Sequence, residues 1–146
     1  MKIEVKIDPS CHEPKLLILT DSLTDEVNSI LKKLSGGETQ LIAGFREGSA
    51  ELFEGADMIR VYSAAGKVFA ATRRGEYALR LRLYEAEERL ADNYFVRISN
   101  SELVNLKEVR GFDLSLAGTI RVTLSDGTVT YVSRRYVAKI KQVLGM

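Results

Sequence analysis

Two adjacent arginines stand at the start of the segment SRRYVAKIKQVLG near the C-terminus. Its apolar spacing predicts a helix over residues 134–144, with Ser133 as the N-cap, so that Arg134 and Arg135 lie in the first turn. Cations are disfavoured there by about 0.3–1 kcal/mol each, because the helix dipole is positive. Free N–H groups and arginines at a helix start bind phosphate-like anions. The segment favours such a site; the alternative is that these arginines pair with nearby acids, for example Glu102 and Asp113.

A second polar cluster lies in the segment FVRISNSELVN, residues 95–105. It begins as an apolar strand that carries the basic Arg97, and three small polar residues then follow: Ser99, Asn100 and Ser101. Asn pairs with adenine edges and Ser with phosphates when such a corner enters a DNA groove. The same residues also populate ordinary turns, so the corner alone is a weak signal. The turn SAAGK, residues 63–67, adds a basic tip at Lys67.

Residue types that most enzymes need are sparse in this chain. His12 is the only histidine and Cys11 the only cysteine, and they are neighbours in a proline-flanked segment. This placement favours a surface loop over a nucleophilic pair or a zinc site. No P-loop, dinucleotide-binding fingerprint, nucleophile elbow or zincin motif occurs. The acids at Glu85, Glu87 and Glu88 are typical of a solvated helix face. We therefore expect no catalytic residue, metal, cofactor or small-molecule substrate.

The composition and the charge distribution further restrict the class of protein to which this chain can belong. The chain of 146 residues is long enough for one domain with an extension. Its single cysteine and the absence of a signal-peptide pattern or a long apolar run predict a cytoplasmic protein. Residues 1–56 carry 6 Lys and Arg against 10 Asp and Glu, a net charge of −4, whereas residues 57–146 carry 15 against 10, a net charge of +5. The basic excess favours a polyanionic partner for the C-terminal part.

Residues 1–37 are predicted to form a small ββα extension. Residues 2–7 alternate polar and apolar side chains, and residues 15–20 read as a second strand. A capping box at Ser22 and Asp25 and a stop at Gly36-Gly37 bracket a helix. Its apolar stripe consists of Leu23, Val27, Ile30, Leu31 and Leu34. The apolar faces of this extension serve either self-association or packing on the main domain.

Residues 40–146 are predicted to be mainly β, which makes the whole chain α+β. Strand-like runs alternate with glycine-containing turns, and two short helices interrupt them at residues 83–91 and 134–144. The strongest hairpin signal is Asp126-Gly127, a pair typical of a tight type I′ turn.

The run F-x-R-I-x-x-S-x-x-V-N, followed by VRGF, the LSDGT hairpin and VSRRYVAKIKQVLG, resembles the LytTR-type DNA-binding domain over residues 40–146. The resemblance implies an elongated arrangement of short β-sheets rather than a helix-turn-helix. It also implies that loops enter successive major grooves of duplex DNA.

The resemblance assigns roles to individual residues by position. Asn100 and Arg135 would contact bases, with Ser99 beside Asn100. The phosphate backbone would be held by Ser101, Arg134 and Lys139. Family members often place a base-reading polar side chain in the loop that corresponds to SAAGK. Gly66 stands at that place here, so this loop would contribute a phosphate contact from Lys67.

The resemblance also implies partners. Residues 1–37 are too short for the receiver that family members often carry, which implies a stand-alone bacterial transcriptional regulator controlled from elsewhere, for example by a membrane protein. Its partner would be double-stranded promoter DNA with paired half-sites, bound by a homodimer. The alternative is a non-enzymatic protein-interaction module that docks through sheet edges and shows no salt-dependent affinity for duplex DNA.

Overall fold

The computed structural model describes residues 1–34 and 41–146. The chain divides into two compact units, Met1–Glu38 and Thr39–Met146. In the described part of the first unit the one regular element is the helix α1 (Asp25–Leu34). The described part of the second unit contains the strands β1 (Ile42–Arg46), β2 (Ser49–Phe53), β3 (Met58–Ala64), β4 (Lys67–Thr72), β5 (Gly75–Leu79), β6 (Phe95–Ser99), β7 (Glu102–Asn105), β8 (Val109–Asp113), β9 (Ile120–Leu124) and β10 (Val129–Val132). Its helices are α2 (Leu83–Leu90) and α3 (Arg134–Val143).

The strands form two antiparallel sheets. The larger sheet has seven strands in the order β2-β1-β5-β4-β3-β7-β6, and the smaller has three in the order β10-β9-β8. Most sequential strands pair through short hairpins, which is the simplest connection between antiparallel neighbours. The predicted fold class, mainly β with two short helices in this part of the chain, is confirmed.

Apolar cores cover both faces of β6 and β7. The neighbouring residues Leu103 and Val104 point to opposite faces of β7, and both are fully buried. Leu103 belongs to a core that also contains Leu83, Ala86 and Leu90 of α2. Val104 belongs to a second core, which joins the two sheets and α3 through Ile98, Ile120, Val122, Val132 and Ile140.

The asparagine that ends β7 has a structural role. Asn105 is 2% exposed, and its Nδ2 donates a hydrogen bond of 3.0 Å to the carbonyl oxygen of Met58. Its Oδ1 accepts a hydrogen bond of 3.0 Å from the backbone N–H of Lys107. Both ends of the buried amide are thus satisfied, and the side chain links the start of β3 to the turn after β7.

The two strands expected in the extension do not form. Residues 2–7 and 15–20 both lie within the described range 1–34, which contains no strand. A strand needs a hydrogen-bonded neighbour, and even a two-stranded pair is marginal alone in water. The side chains of Ile3, Val5 and Ile7 are accordingly exposed. The alternation identifies a strand face but supplies no partner for it.

The predicted helix of the extension is confirmed, with a different cap. It begins at Asp25, and the Thr24 hydroxyl, rather than Ser22, accepts a hydrogen bond of 3.3 Å from the backbone N–H of Val27. The stop expected at Gly36-Gly37 lies outside the described residues.

Asp126-Gly127 does lie in the turn between β9 and β10, but the turn is not type I′. Gly127 has a φ of 87°, and Asp126 is not among the residues with positive φ. The Gly127 N–H donates to the Leu124 carbonyl at 3.0 Å, and the Leu124 N–H donates to the Thr128 carbonyl at 2.8 Å. This pattern is a type I turn followed by a glycine bulge, a common three-residue hairpin loop.

We predict that Asn105→Ala lowers the free energy of unfolding by about 1–3 kcal/mol, because it leaves a buried carbonyl and a backbone N–H without partners. Urea unfolding followed by circular dichroism measures the change. Glu88→Ala, at an exposed position of α2, is the control and should leave the midpoint nearly unchanged. Equal stabilities of the two variants would contradict the role given to Asn105.

Candidate nucleic-acid interface

The polar corner between β6 and β7 lies against the turn between β3 and β4. The backbone N–H of Ser63 donates a hydrogen bond of 2.8 Å to the carbonyl oxygen of Ser101. The pairing of β3 with β7 extends to the same place, where Tyr62 faces Glu102. The turn that carries Lys67 and the corner that carries Asn100 are therefore neighbours.

The same corner is tied to the start of α3. The backbone N–H of Ser133 donates a hydrogen bond of 2.9 Å to the carbonyl oxygen of Ile98. In the first turn of the helix, the Tyr136 hydroxyl lies 3.2 Å from Oδ1 of Asn100 and donates to it. The structure thus brings together residues 63–67, 99–101 and 133–139, which we call the three-segment face.

Internal hydrogen bonds hold the backbone of the polar corner. Arg97 donates from Nη1 to the carbonyl oxygen of Asn100 at 3.3 Å, and its Nε lies 3.5 Å from a carboxylate oxygen of Glu87. The Ser101 N–H donates to the Ser99 hydroxyl at 3.2 Å. The side chain of Arg97 is only 16% exposed, so it positions the corner and is not itself displayed.

The exposed side chain of Asn100 keeps most of its hydrogen-bonding capacity. An amide oxygen has two lone pairs and the NH₂ group has two donors, and Tyr136 occupies one lone pair. One acceptor site and both donors remain, which is the set that reads the N6 and N7 edge of adenine. Tyr136 was not assigned a role from the sequence; the only available signal was its place in the SRRY segment.

The helix α3 begins with two exposed arginines and no acidic residue in its first turn. Ser133 occupies the N-cap position as predicted, but its hydroxyl makes no capping hydrogen bond. Within the described residues neither Arg134 nor Arg135 has an ion pair. The positive helix start therefore combines backbone N–H groups with two free guanidinium groups.

The acids suggested as partners for these arginines are engaged elsewhere. Asp113 lies 2.8 Å from Arg121. Hydrogen bonds from the hydroxyl and the backbone N–H of Ser115 lower the pKa of Asp113, and the charge of Arg121 lowers this pKa further. Glu102 pairs with Arg60 instead. Pairing of Arg134 or Arg135 with either acid is thus contradicted.

Two lysines complete the cationic groups of the three-segment face. Lys139 is exposed on α3, one turn after Arg135. Lys67 is exposed at the start of β4, directly after a two-residue turn in which Ala65 and Gly66 have φ values of 51° and 76°. These positive values are those of a type I′ turn, which matches the twist of the flanking strands. In this tight hairpin Lys67 pairs with Ala64, the residue after Ser63.

A buried polar network lies behind the three-segment face. Glu102 is 7% exposed, its Oε2 is 2.9 Å from Nε of Arg60, and its Oε1 accepts a hydrogen bond of 2.5 Å from the Thr130 hydroxyl. The contact with Arg60 is an ion pair without a well-aligned hydrogen bond. The network connects β3, β7 and β10, and therefore the two sheets. Sequence reasoning missed it because the three residues are distant in the chain.

The other residues considered for chemistry belong to other segments of the chain. Cys11 is exposed. Within residues 1–34 and 41–146, no group of three or more His, Cys, Asp and Glu residues is placed to hold a metal ion. In the same ranges, no helix has the length and apolar character required to cross a membrane.

We predict that Arg60→Leu lowers the free energy of unfolding by about 3 kcal/mol, because it leaves the carboxylate of Glu102 buried without its cation. Chemical denaturation measures the loss, and Arg110→Leu, at an exposed position, is the control. The double variant Arg60→Leu/Glu102→Leu should recover much of the stability, since both charges are then removed. A double variant less stable than Arg60→Leu would contradict this account.

Comparison with known proteins identifies the family. The LytTr DNA-binding domain family matches residues 50–145. An uncharacterized HTH-type transcriptional regulator of Staphylococcus aureus strain bovine RF122 / ET3-1 is 32% identical over 100% of this chain and 99% of its own length. A protein of the same description from S. aureus strain NCTC 8325 is 31% identical with the same coverage.

A solved structure shares the fold. It is the LytTr DNA-binding domain of a protein described as a putative methyl-accepting/DNA response regulator from Bacillus cereus, with a TM-score of 0.69 and 16% sequence identity. The match covers 73% of this chain and 97% of that domain. In the described part of our chain, five strands separate α2 from α3, so these helices do not form a helix-turn-helix pair. The chain belongs to the LytTr DNA-binding domain family, a DNA-binding class and not a class of enzymes.

Proposed function

We propose that this chain binds double-stranded DNA sequence-specifically and acts as a bacterial transcriptional regulator. The observation that carries the proposal is the three-segment face, in which two turns and a helix start are joined by hydrogen bonds. Its four exposed cations have no ion pair with described residues: Lys67, Arg134, Arg135 and Lys139.

Eight other cations of the second unit are engaged within the fold. Five of them pair with carboxylates: Arg60, Arg73, Arg74, Arg97 and Arg121. Three more lie over aromatic rings: Arg46, Arg80 and Lys107. Arg89, Arg110 and Lys141 are also exposed and have no ion pair with described residues, so what distinguishes the four cations named above is that they belong to one face. A cluster of unpaired cations around helix N–H groups suits the phosphates of DNA.

Within this face we assign base contacts to Asn100 and Arg135, which enter the major groove. Asn100 is supported by Arg97 and Tyr136, so little conformational entropy is lost when it meets a base. Arginine pairs bidentately with guanine in the same groove. Ser99 lies beside Asn100, and phosphate contacts come from Lys67, Ser101, Arg134 and Lys139.

The remaining parts of the proposal concern assembly and control. The chain acts in the cytoplasm on paired half-sites of promoter DNA, and it does so as a homodimer. Half-sites about 10 base pairs apart present the same groove to two copies on one side of the duplex. A membrane protein is the proposed regulator, as the resemblance to stand-alone members implies.

We predict that binding to a labelled duplex from the gene's own upstream region weakens linearly in log[salt], with a slope near −0.9 per phosphate contacted. Arg135→Ala should remove about 1–3 kcal/mol of binding free energy and relax specificity at one base pair. Lys139→Ala should weaken binding to all sequences alike and reduce the slope by about 0.9. Fluorescence anisotropy measures the dissociation constant of each variant and its dependence on salt concentration.

Lys141→Ala is the matched control, because Lys141 is exposed on α3 but lies on a different side of the helix from Arg135 and Lys139. It should bind as the parent does. If Arg135→Ala bound every duplex as the parent does, its assignment as a base reader would be wrong. Failure of the parent to bind any duplex at low salt would favour the protein-interaction module.

We predict that Tyr136→Phe weakens discrimination at the base pair read by Asn100 by about 0.5–1.5 kcal/mol, since Asn100 loses one hydrogen bond. The ring still packs on the second core, so the fold should be kept. Tyr131→Phe, at an exposed position, is the control. Combined with Asn100→Ala, Tyr136→Phe should have no further effect on discrimination; additive losses would contradict positioning by Tyr136.

A further inference from the structure

Residues 2–8 of the first unit, KIEVKID, have the pattern of a strand and no strand partner among residues 1–34. The side chains of Ile3, Val5 and Ile7 are 88%, 87% and 88% exposed. Charged residues occupy the positions between these apolar ones, and among them Nζ of Lys2 lies 3.9 Å from Oε1 of Glu4. Contact between residues two apart is what an extended backbone produces, because alternate side chains share a face.

The same unit has further uncovered apolar surface. None of the residues of α1 is buried. A groove of about 370 Å³ runs between this helix and the segment before it, lined mainly by Leu16, Leu17, Ile18, Leu23, Val27 and Leu31. A unit of fewer than about 40 residues, such as this one, rarely folds without a disulfide, a metal or a partner surface. The first unit therefore has both an unpaired segment with the pattern of a strand and an apolar surface that could pack behind it.

Charge complementarity favours a second copy of residues 2–8 as the partner of this segment. In an antiparallel pair of identical segments centred on Val5, Lys2 faces Asp8 and Glu4 faces Lys6 of the other copy. The apolar face then pairs Ile3 with Ile7, and Val5 with Val5. Every charged pair in this register unites opposite charges, and cross-strand pairs of this kind stabilise a sheet.

In the neighbouring registers, like charges face each other across the pair. Centring the pair on Glu4 places Lys2 opposite Lys6 and Glu4 opposite Glu4. Centring it on Lys6 places Glu4 opposite Asp8 and Lys6 opposite Lys6. A parallel, in-register pair aligns every charge with its own copy, and a slip by one residue sets apolar side chains against charged ones. The register centred on Val5 alone satisfies both faces over the full segment.

We propose that residues 2–8 pair antiparallel with the same residues of a second copy of this chain, in the register centred on Val5. The pair is symmetric about a two-fold axis, as most homodimer interfaces are. Its six apolar side chains form one face, and the groove beside α1 supplies apolar surface for a second layer. The inference rests on the homodimer of the proposed function and locates its interface in the first unit.

Charge exchange in the full chain tests the pairing. Glu4→Lys sets two ammonium groups opposite each other across the pair, and Lys6→Glu sets two carboxylates there, so each variant alone should dimerise about tenfold more weakly than the parent. An equimolar mixture should restore the parent's affinity, because every pair then unites opposite charges. Sedimentation equilibrium without DNA measures the dissociation constants. A monomeric parent, unaffected variants or a mixture without recovery would overturn the proposal.

Disulfide cross-linking tests the register in a Cys11→Ser background, which removes the chain's only cysteine. Val5→Cys should form a linked dimer on mild oxidation, because residue 5 faces its own copy. Ile3→Cys should not, because two copies of residue 3 are about 13 Å apart along the strands, beyond the reach of a disulfide of about 7 Å. Equal cross-linking of both variants, or of neither, would overturn the register.

A parallel measurement separates this inference from the proposal of DNA binding. The parent is titrated onto a labelled duplex of mixed sequence, about 21 base pairs or two helical turns long, at low salt. A parent that binds the duplex while the charge-exchange mixture shows no recovery overturns the strand pairing alone. Recovery by the mixture with no binding of any duplex supports the strand pairing and overturns the DNA proposal alone.

Discussion

The hairpin of β6 and β7 is buried on both faces, and the display of polar groups in this protein depends on that constraint. Leu103 contributes to one core and its neighbour Val104 to the other, so the strand interior has few places for an unpaired polar side chain. Apart from Arg97, which contacts Glu87 and the carbonyl oxygen of Asn100, the polar residues lie at the ends of the hairpin. Asn105 closes one end by linking backbone segments, and the corner at residues 99–101 projects from the other.

The core that fixes β6 also fixes α3. Ile98 and Ile140 pack in the same cluster, and the hydrogen bond from Ser133 to Ile98 joins the helix start to the strand. Because close-packed cores resist deformation, the polar corner and the first turn of α3 share one rigid base. The Glu102 network adds a charged link between the sheets directly behind them. Such preorganisation suits the groove reading proposed for this face, since ordering the face upon binding would reduce affinity.

Several arginines of the fold are paired with acids, whereas the four cations of the three-segment face have no ion pair with described residues. Acids near the sheets are matched with arginines, as Asp113 is with Arg121 and Glu102 with Arg60. No acid remains in the first turn of α3, where one would stabilise the helix dipole. Arg134 and Arg135 therefore lower the stability of the helix slightly. An external anion at this helix start would offset the loss, which is the physical link between the local sequence and the proposed function.

Local patterns in the sequence by themselves determined the mainly β class, the helix positions and the polar corner, because hydrophobic periodicity and turn residues act over short distances. The arginines in the first turn of α3 were also readable from the sequence. Only the tertiary structure decided that Glu102 pairs with Arg60, and that Tyr136 meets Asn100, because these contacts join segments far apart in the chain. The strands expected at residues 2–7 and 15–20 also show that a local pattern does not specify contacts with other segments. A period of two reveals the face of a strand, whereas its existence depends on a neighbour that the local pattern does not specify.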